Sequence, residues 1–130
     1  MTVKITQIEA FKFKAESDGL EVISGRVDRD SAPEGMSPGA LMAAALGMCT
    51  GMHIVGYLKR RNIEYSGFEM TVDNESAEGP RRSGKFTTSI TLKADLDERQ
   101  LRELREEANR CYVGNTLKSG AEIDLHLELR

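Results

Sequence analysis

Residues 37–62, SPGALMAAALGMCTGMHIVGYLKRRN, are the long apolar stretch around which the rest of the chain is arranged. Ser37 is a favourable N-cap residue, and Pro38 suits the first helical position, where a missing N–H costs nothing. The stretch ends in a basic cluster, residues 59–61, which suits the negative end of a helix, and in Asn62, a residue that stops helices. The pattern therefore predicts one long helix between Ser37 and Asn62.

This helix is apolar on every side, because no Asp, Glu, Lys or Arg lies between Leu41 and Leu58. A helix of that kind must be buried on every side, in a bilayer or inside a protein. About 20 apolar residues suffice to span a membrane, but this stretch is rich in Ala and Gly and carries His53, which is costly at mid-membrane depth. We therefore expect the central helix of a soluble fold with no membrane partner. A chain of 130 residues leaves one side of it for a second subunit to cover.

Composition sets the class of the protein. Charged residues make up 30% and apolar residues 39%, as in an ordinary globular chain, and we expect a single domain over residues 1–130. The net charge is −3 and no basic stripe is visible, which argues against nucleic-acid binding. The start, MTVKITQIEAFKFK, has no apolar segment of the signal-peptide type, so we expect a cytoplasmic protein with reduced cysteines.

Strand-type alternation flanks the central helix on both sides. Before it, residues 3–14 predict a strand, Ser17-Asp18-Gly19 a turn, residues 20–27 the hairpin partner and residues 28–36 a polar loop. After it, residues 68–72 and 86–92 predict a second antiparallel pair with a long, charged connection that contains Gly79 and Pro80.

The last part of the chain predicts a helix and a strand. Asp97 and Gln100 have the spacing of a capping box, so a second helix should begin there. Leu101, Leu104, Ala108 and Cys111 share one face of that helix, and Ile123, Leu125, Leu127 and Leu129 share one face of a final strand. The order β-β-α-β-β-α-β indicates an α+β fold, with a mainly antiparallel sheet and two principal helices packed on one side of it.

Cys49 is the first candidate for chemistry. It lies on the side of the helix opposite Gly47 and Gly51, whose missing side chains allow close packing. His53 follows one turn later, where an imidazole can stabilise a thiolate or accept the thiol proton. The alternative is that Cys49 only fills space in the core, as free cysteines often do.

Cys111 is the second candidate, because it faces the interior at the end of an apolar stripe. A reactive thiol next to a second thiol is the minimum needed to reduce a peroxide through a sulfenic acid and a disulfide. A metal site of Cys49, His53, Cys111 and His126 is a further alternative, although no zinc-type spacing is present. Phosphate-binding glycine loops are absent from the sequence.

Two segments, GMSPGALMAAALGMCTGMHIVGYLKRRNI and RCYVGNTLKSGAEIDL, resemble the OsmC/Ohr family of osmotically inducible and organic hydroperoxide resistance proteins. The specific features are a Ser-Pro cap eleven positions before a mid-helix cysteine, and a second cysteine after the next helix. The resemblance implies an intertwined α+β homodimer that reduces organic or inorganic hydroperoxides without a cofactor, with an external dithiol, in some members a lipoylated protein, as reductant. It implies that Cys49 is the peroxidatic cysteine and Cys111 the resolving one.

The sequence departs from the best-studied members at two places. The first hairpin turn reads AESDGLE and lacks the arginine that pairs with the thiolate in those members. Gly39 stands where they carry the glutamate that orients this arginine. Arg26 and Arg29, in the loop before the helix, are candidate substitutes, beside His53. Two hypotheses follow: a thiol peroxidase, or a non-catalytic dimeric domain of this fold that binds a small apolar or thiol-containing ligand.

Overall fold

The computed structural model describes residues 1–130 and contains five strands and three helices. They are β1 (Lys4–Glu9), β2 (Lys12–Ser17), β3 (Leu20–Ser24), α1 (Pro38–Arg60), β4 (Tyr65–Ala77), β5 (Arg82–Ala94), α2 (Glu98–Ala108) and α3 (Tyr112–Ser119). The predicted α+β class is confirmed. The strands, however, form a three-stranded sheet in the order β1-β2-β3 and a separate two-stranded sheet, β4-β5, where the sequence predicted one sheet.

The chain divides into two compact units. The first comprises residues 1–44 and 74–86, and the second comprises residues 45–73 and 87–130.

The three-stranded sheet of the first unit is an antiparallel meander in which Ala15 of β2 pairs with Ile5 of β1 and Val22 of β3. Residues 3–14 are strand-like as predicted, but they belong to two strands and not one, because the chain turns at Ala10, which has a φ of 51°. The Gln7 side-chain amide donates a hydrogen bond to the Ala10 carbonyl over 3.0 Å and closes this turn. The sequence pattern did not predict this turn, because the segment has no Gly, Pro, Asn or Asp, the residues that most often form turns.

The first unit also contains the loop before α1 and the start of that helix. The predicted polar loop is confirmed, and an isolated bridge between Gly25 and Gly35 joins its ends. Ser37 is the predicted N-cap of α1, since its Oγ accepts a hydrogen bond from the Ala40 N–H over 3.1 Å. The other end of α1, in the second unit, is stopped at Asn62, whose φ of 53° takes the chain out of helical geometry.

The second unit has its core between α1, α2 and the β4-β5 sheet. The buried residues Ile54, Tyr57, Leu58 and Leu104 form one cluster, and Phe68, Ile90 and Leu92 of the sheet pack against it. The predicted packing of both helices on one side of a sheet is therefore confirmed for β4-β5. By length and composition α1 also qualifies as a membrane span, a test that the core helix of a soluble protein passes as well.

The glycine side of α1 packs tightly against β4, as the sequence indicated. A Cβ atom on Gly47 would lie 2.9 Å from Val72 Cγ2 and 3.2 Å from Met70 Sδ, so a larger residue does not fit unless these side chains move. The β4-β5 connection is shorter than predicted, residues 78–81, because both strands continue well beyond their alternating apolar centres.

The end of the chain departs most from the prediction. The capping box at Asp97 is confirmed, since its side chain accepts from the Gln100 N–H and the Gln100 side chain accepts from the Asp97 N–H. Helix α2 ends at Ala108, so Cys111 is not on it. Cys111 is instead the N-cap of α3, a helix that the sequence analysis missed.

The predicted final strand does not form. Residues 120–130 have neither helix nor strand, and Ile123, Leu125, Leu127 and Leu129 are 83–92% exposed. A strand needs neighbouring backbone to satisfy its N–H and C=O groups, and this chain provides none at that segment. Alternation identifies an apolar face but does not say which chain covers it.

Candidate thiol site

Cys49 lies in the middle of α1, in the second unit, and is half-buried. The flanking residues Met48 and Met52 are 59% and 72% exposed, so this side of the helix is open. The sequence led us to expect that the chain leaves one side of this helix uncovered, and the exposed methionines lie on such a side. Cys49 is therefore accessible along a surface of flexible, apolar methionine side chains.

Cys111 is 2% exposed, and its sulfur is held by hydrogen-bond donors. As the N-cap of α3, its Sγ accepts a hydrogen bond from the Gly114 N–H over 3.2 Å. The hydroxyl of Thr50, the residue after Cys49 on α1, lies 3.5 Å from the same sulfur. The local fold thus fixes Cys111 between the start of α3 and the buried face of α1.

The two cysteines, predicted as a pair, come together. Burial alone would raise the pKa of the Cys111 thiol. Hydrogen bonds from Thr50, from the Gly114 N–H and from the Cys49 thiol outweigh burial and lower this pKa below its usual range. Both thiols are free. The site is therefore a dithiol with one accessible sulfur and one buried, ionisation-prone sulfur.

His53, the first candidate for thiolate activation, is paired with a carboxylate. Its Nδ1 lies 3.5 Å from Glu107 Oε1, and Arg60 and Arg110 contact the same carboxylate at 3.0 and 3.3 Å. Burial raises the pKa of Glu107, but the hydrogen bond from Arg60 and its charge, with help from His53 and Arg110, bring it below its usual range. Glu107 thus orients the His53 ring one helical turn from Cys49.

The arginine candidates lie in the first unit. Arg26 donates a hydrogen bond to the Ser31 carbonyl over 3.4 Å, within its own loop, and Arg29 is exposed. His126 is exposed in the C-terminal segment. No group of three or more His, Cys, Asp and Glu side chains is arranged to hold a metal ion, so the structure does not assemble the alternative metal site.

Sequence reasoning missed Thr50 and Gly114. A signal for Gly114 was present, because Cys111 precedes it by the three positions that separate an N-cap side chain from the N–H it accepts. Thr50 had no such signal, since a threonine inside an apolar helix usually bonds its own backbone. Its contact with Cys111 depends on how α3 meets α1.

The sequence model of the family described as OsmC-like protein matches residues 29–126. This chain belongs to the OsmC-like protein family. The resemblance noted from the two cysteine segments is thereby confirmed. A search of curated protein sequences gave no significant match.

Solved structures agree with this assignment to the OsmC-like family. A Psychrobacter arcticus protein, described as an osmotic stress induced and detoxification response protein, superposes with a TM-score of 0.77 at 25% identity, over 89% of this chain and 87% of that one. The organic hydroperoxide resistance protein OhrB of Bacillus subtilis is also 25% identical, over 98% of each chain, with a TM-score of 0.52. An OsmC like protein from Mycoplasma pneumoniae shares the fold at 17% identity, with a TM-score of 0.78 over 92% of this chain and 87% of that one.

Proposed function

We propose that this protein reduces organic or inorganic hydroperoxides through Cys49 and Cys111. The observation that carries the proposal is the contact between an accessible thiol on α1 and a buried, hydrogen-bonded thiol at the start of α3. Membership of the OsmC-like family supports it, and so does the likeness to a protein named for organic hydroperoxide resistance.

The chemistry proceeds in two half-reactions. The Cys49 thiolate attacks one oxygen of the peroxide, the O–O bond breaks, and the other oxygen leaves as an alcohol or water after taking a proton. Cys49 is then a sulfenic acid. The Cys111 thiolate attacks its sulfur, hydroxide leaves as water with one proton, and a Cys49–Cys111 disulfide forms. An external dithiol reduces this bond and is itself oxidised to a disulfide.

Activation of Cys49 is assigned to His53 in this proposal. Glu107 Oε1 lies 3.5 Å from His53 Nδ1, an arrangement in which a carboxylate orients the imidazole. The ring lies one turn from Cys49 on the same helix. A neutral imidazole in this position accepts the thiol proton. Arg26, bonded to Ser31 in its own loop, is the weaker candidate.

The test is peroxide consumption by the purified protein with a dithiol such as dihydrolipoamide as reductant. The wild type should turn over, and Cys49→Ser should abolish turnover because it removes the attacking sulfur. In the absence of the dithiol, Cys111→Ser should consume about one equivalent of peroxide and leave Cys49 as a sulfenic acid with no intramolecular disulfide. Turnover by Cys49→Ser at the wild-type rate would disprove the proposal.

We further propose that the protein works as an intertwined homodimer in the cytoplasm. Four alternating apolar side chains of the C-terminal segment, at positions 123, 125, 127 and 129, are almost fully exposed. A second copy would cover this apolar surface. Sedimentation of a monomer at micromolar concentration would contradict the dimer.

The second candidate function is non-catalytic binding of a small apolar ligand. The first unit contains a cleft of about 450 Å³ between the meander and the start of α1, lined by Phe11, Phe13 and Leu41 among others. Ser24, which also lines it, has a buried Oγ without a hydrogen-bond partner. If this is the function, Cys49→Ser will leave the affinity for an apolar fluorescent probe unchanged, and Leu41→Glu will abolish it.

A further inference from the structure

Thr50 is a buried polar residue whose hydroxyl contacts the sulfur of Cys111. It is 6% exposed, and its hydroxyl lies 3.5 Å from Cys111 Sγ. The Gly114 N–H donates a hydrogen bond to the same sulfur over 3.2 Å. A thiolate has no proton to give, so both groups must act as donors once Cys111 is ionised.

The two sulfurs of the site therefore differ in access and in stabilisation. Cys49 is half-buried on the open methionine side of α1, whereas Cys111 is enclosed and faces two fixed donors. Lys118, in the last turn of α3, adds a favourable charge to the Cys111 thiolate. A nucleophile from solvent can approach Cys49, and negative charge is best accommodated on Cys111.

We propose that Thr50 is a positioning residue that makes Cys111 the leaving group when the Cys49–Cys111 disulfide is reduced, so that the external dithiol attacks Cys49. This inference rests on the proposed function, because it concerns the second half of the same cycle. It identifies which sulfur receives the reductant and which residue sets that choice.

One thiolate of the dithiol attacks Cys49 Sγ and forms a mixed disulfide, while the Cys49–Cys111 bond breaks and its electron pair goes to Cys111 Sγ. The Thr50 hydroxyl and the Gly114 N–H stabilise the new thiolate. The second thiolate of the dithiol then attacks its own bound sulfur, closes a cyclic disulfide and releases Cys49 as a thiolate. Solvent supplies the protons.

The physical reason for this direction is leaving-group chemistry. Thiol–disulfide exchange is faster when the departing thiol has the lower pKa. The lowered pKa of Cys111 supports its role as the departing thiol. Attack on Cys111 would require the nucleophile to enter a site where this residue is only 2% exposed.

The experiment forms the disulfide with diamide, an oxidant that is not a peroxide, so its outcome does not depend on peroxidase activity. The oxidised wild type is treated with a monothiol, 2-mercaptoethanol, then quenched in acid, alkylated and mapped by mass spectrometry. The mixed disulfide should be on Cys49 and the alkyl group on Cys111. A mixed disulfide on Cys111, or failure of diamide to link the two cysteines, overturns the inference.

Variants test Thr50 itself. Thr50→Val keeps the shape and removes the hydroxyl, Thr50→Ser restores it, and Thr116→Val is the control, since the Thr116 hydroxyl bonds the Tyr112 carbonyl and no sulfur. Thr50→Val should slow reduction by dithiothreitol on the order of threefold for each unit by which the Cys111 pKa rises. Ionisation of Cys111 is followed by the ultraviolet absorbance of the thiolate in a Cys49→Ser background. In that background Thr50→Val should move the ionisation of Cys111 to higher pH than in the protein that keeps Thr50.

Thr50→Ser should restore both the rate of disulfide reduction and the pH at which Cys111 ionises. A purely structural role of the hydroxyl would not require that pH to be restored. Equal rates in Thr50→Val, Thr50→Ser and wild type would overturn the role of Thr50. If the wild type shows no peroxide turnover but the diamide disulfide behaves as expected, the proposed function fails and the direction of reduction stands.

Discussion

The Gly114 N–H donates a hydrogen bond to Cys111 Sγ over 3.2 Å, and a Cβ atom on residue 114 would lie 2.9 Å from that sulfur. The same position thus supplies the donor and leaves no room for a side chain. Real Cβ atoms essentially never approach another atom so closely, so any larger residue must move the sulfur or the helix. The site depends on glycine at this position.

We expect Gly114→Ala to displace Cys111 and slow formation of the Cys49–Cys111 disulfide by about tenfold to a hundredfold, because a small misplacement of reacting atoms is costly. The measurement is the rate of disulfide formation after diamide, followed by thiol alkylation. Gly39→Ala is the matched control, since its nearest outside contact is an ordinary 3.7 Å from Asn74 Nδ2. A wild-type rate in Gly114→Ala would show that the close contact is unimportant.

The depressed pKa of Glu107 predicts a loss of stability in acid. Its folded-state pKa lies below the unfolded value, so the unfolded chain binds more protons between the two values and the free energy of unfolding falls as pH decreases through that interval. The loss should begin near the ordinary carboxylate pKa of about 4.3 and be complete below the folded-state pKa.

Chemical denaturation at a series of pH values should show a shallower acid dependence of the free energy of unfolding for Glu107→Gln than for the wild type. Glu106→Gln is the control, because Glu106 has only one long contact, 4.0 Å to Arg110. The same acid dependence in Glu107→Gln and wild type would refute the role of Glu107.

The core of the second unit gives a graded stability prediction. Leu58 of α1 is fully buried in a cluster with Leu104 of α2, whereas Leu101 of α2 is 39% exposed. Leu58→Ala should lower the free energy of unfolding by about 2–5 kcal/mol, the range for cavity formation at buried leucines. Leu101→Ala should cost much less. Urea denaturation of the two variants makes the comparison, and equal losses would argue against the observed packing.

The C-terminal segment provides a test of the homodimer. Leu125→Lys combined with Leu127→Lys should convert a dimer into a monomer, because two charges would replace apolar side chains that we assign to the subunit contact. His126→Lys combined with Glu128→Lys changes the opposite face and should leave the dimer intact. Sedimentation at micromolar concentration measures both. A dimer in the double leucine variant would place the contact elsewhere.

Features governed by local chemistry could be predicted from the sequence. The Ser37 cap, the stop at Asn62 and the Asp97 capping box each depend on residues a few positions apart, and the structure has all of them. The Gly47 side of α1 was also identified, since an absent side chain allows close approach whatever the partner is. The proximity of Cys49 and Cys111 was anticipated through the family resemblance.

Features that depend on tertiary contacts could not be predicted from the sequence. The turn at Ala10 contains none of the residues that favour turns. The apolar residues from Leu101 to Cys111 keep helical spacing, so the pattern did not indicate that α2 ends at Ala108 and that α3 follows. The contact of Thr50 with Cys111 joins residues 61 positions apart. The alternating leucines of the C-terminal segment describe an apolar face correctly, but alternation carries no information on whether the covering strand belongs to the same chain.

The most direct measurement of the central claim is mass spectrometry of the reduced protein after one equivalent of an organic hydroperoxide. We predict that both thiols resist alkylation and that a proteolytic digest contains the Cys49 and Cys111 peptides joined by a disulfide within one chain. Two free, alkylated thiols after peroxide, or a Cys49–Cys49 link between chains as the sole product, would contradict it.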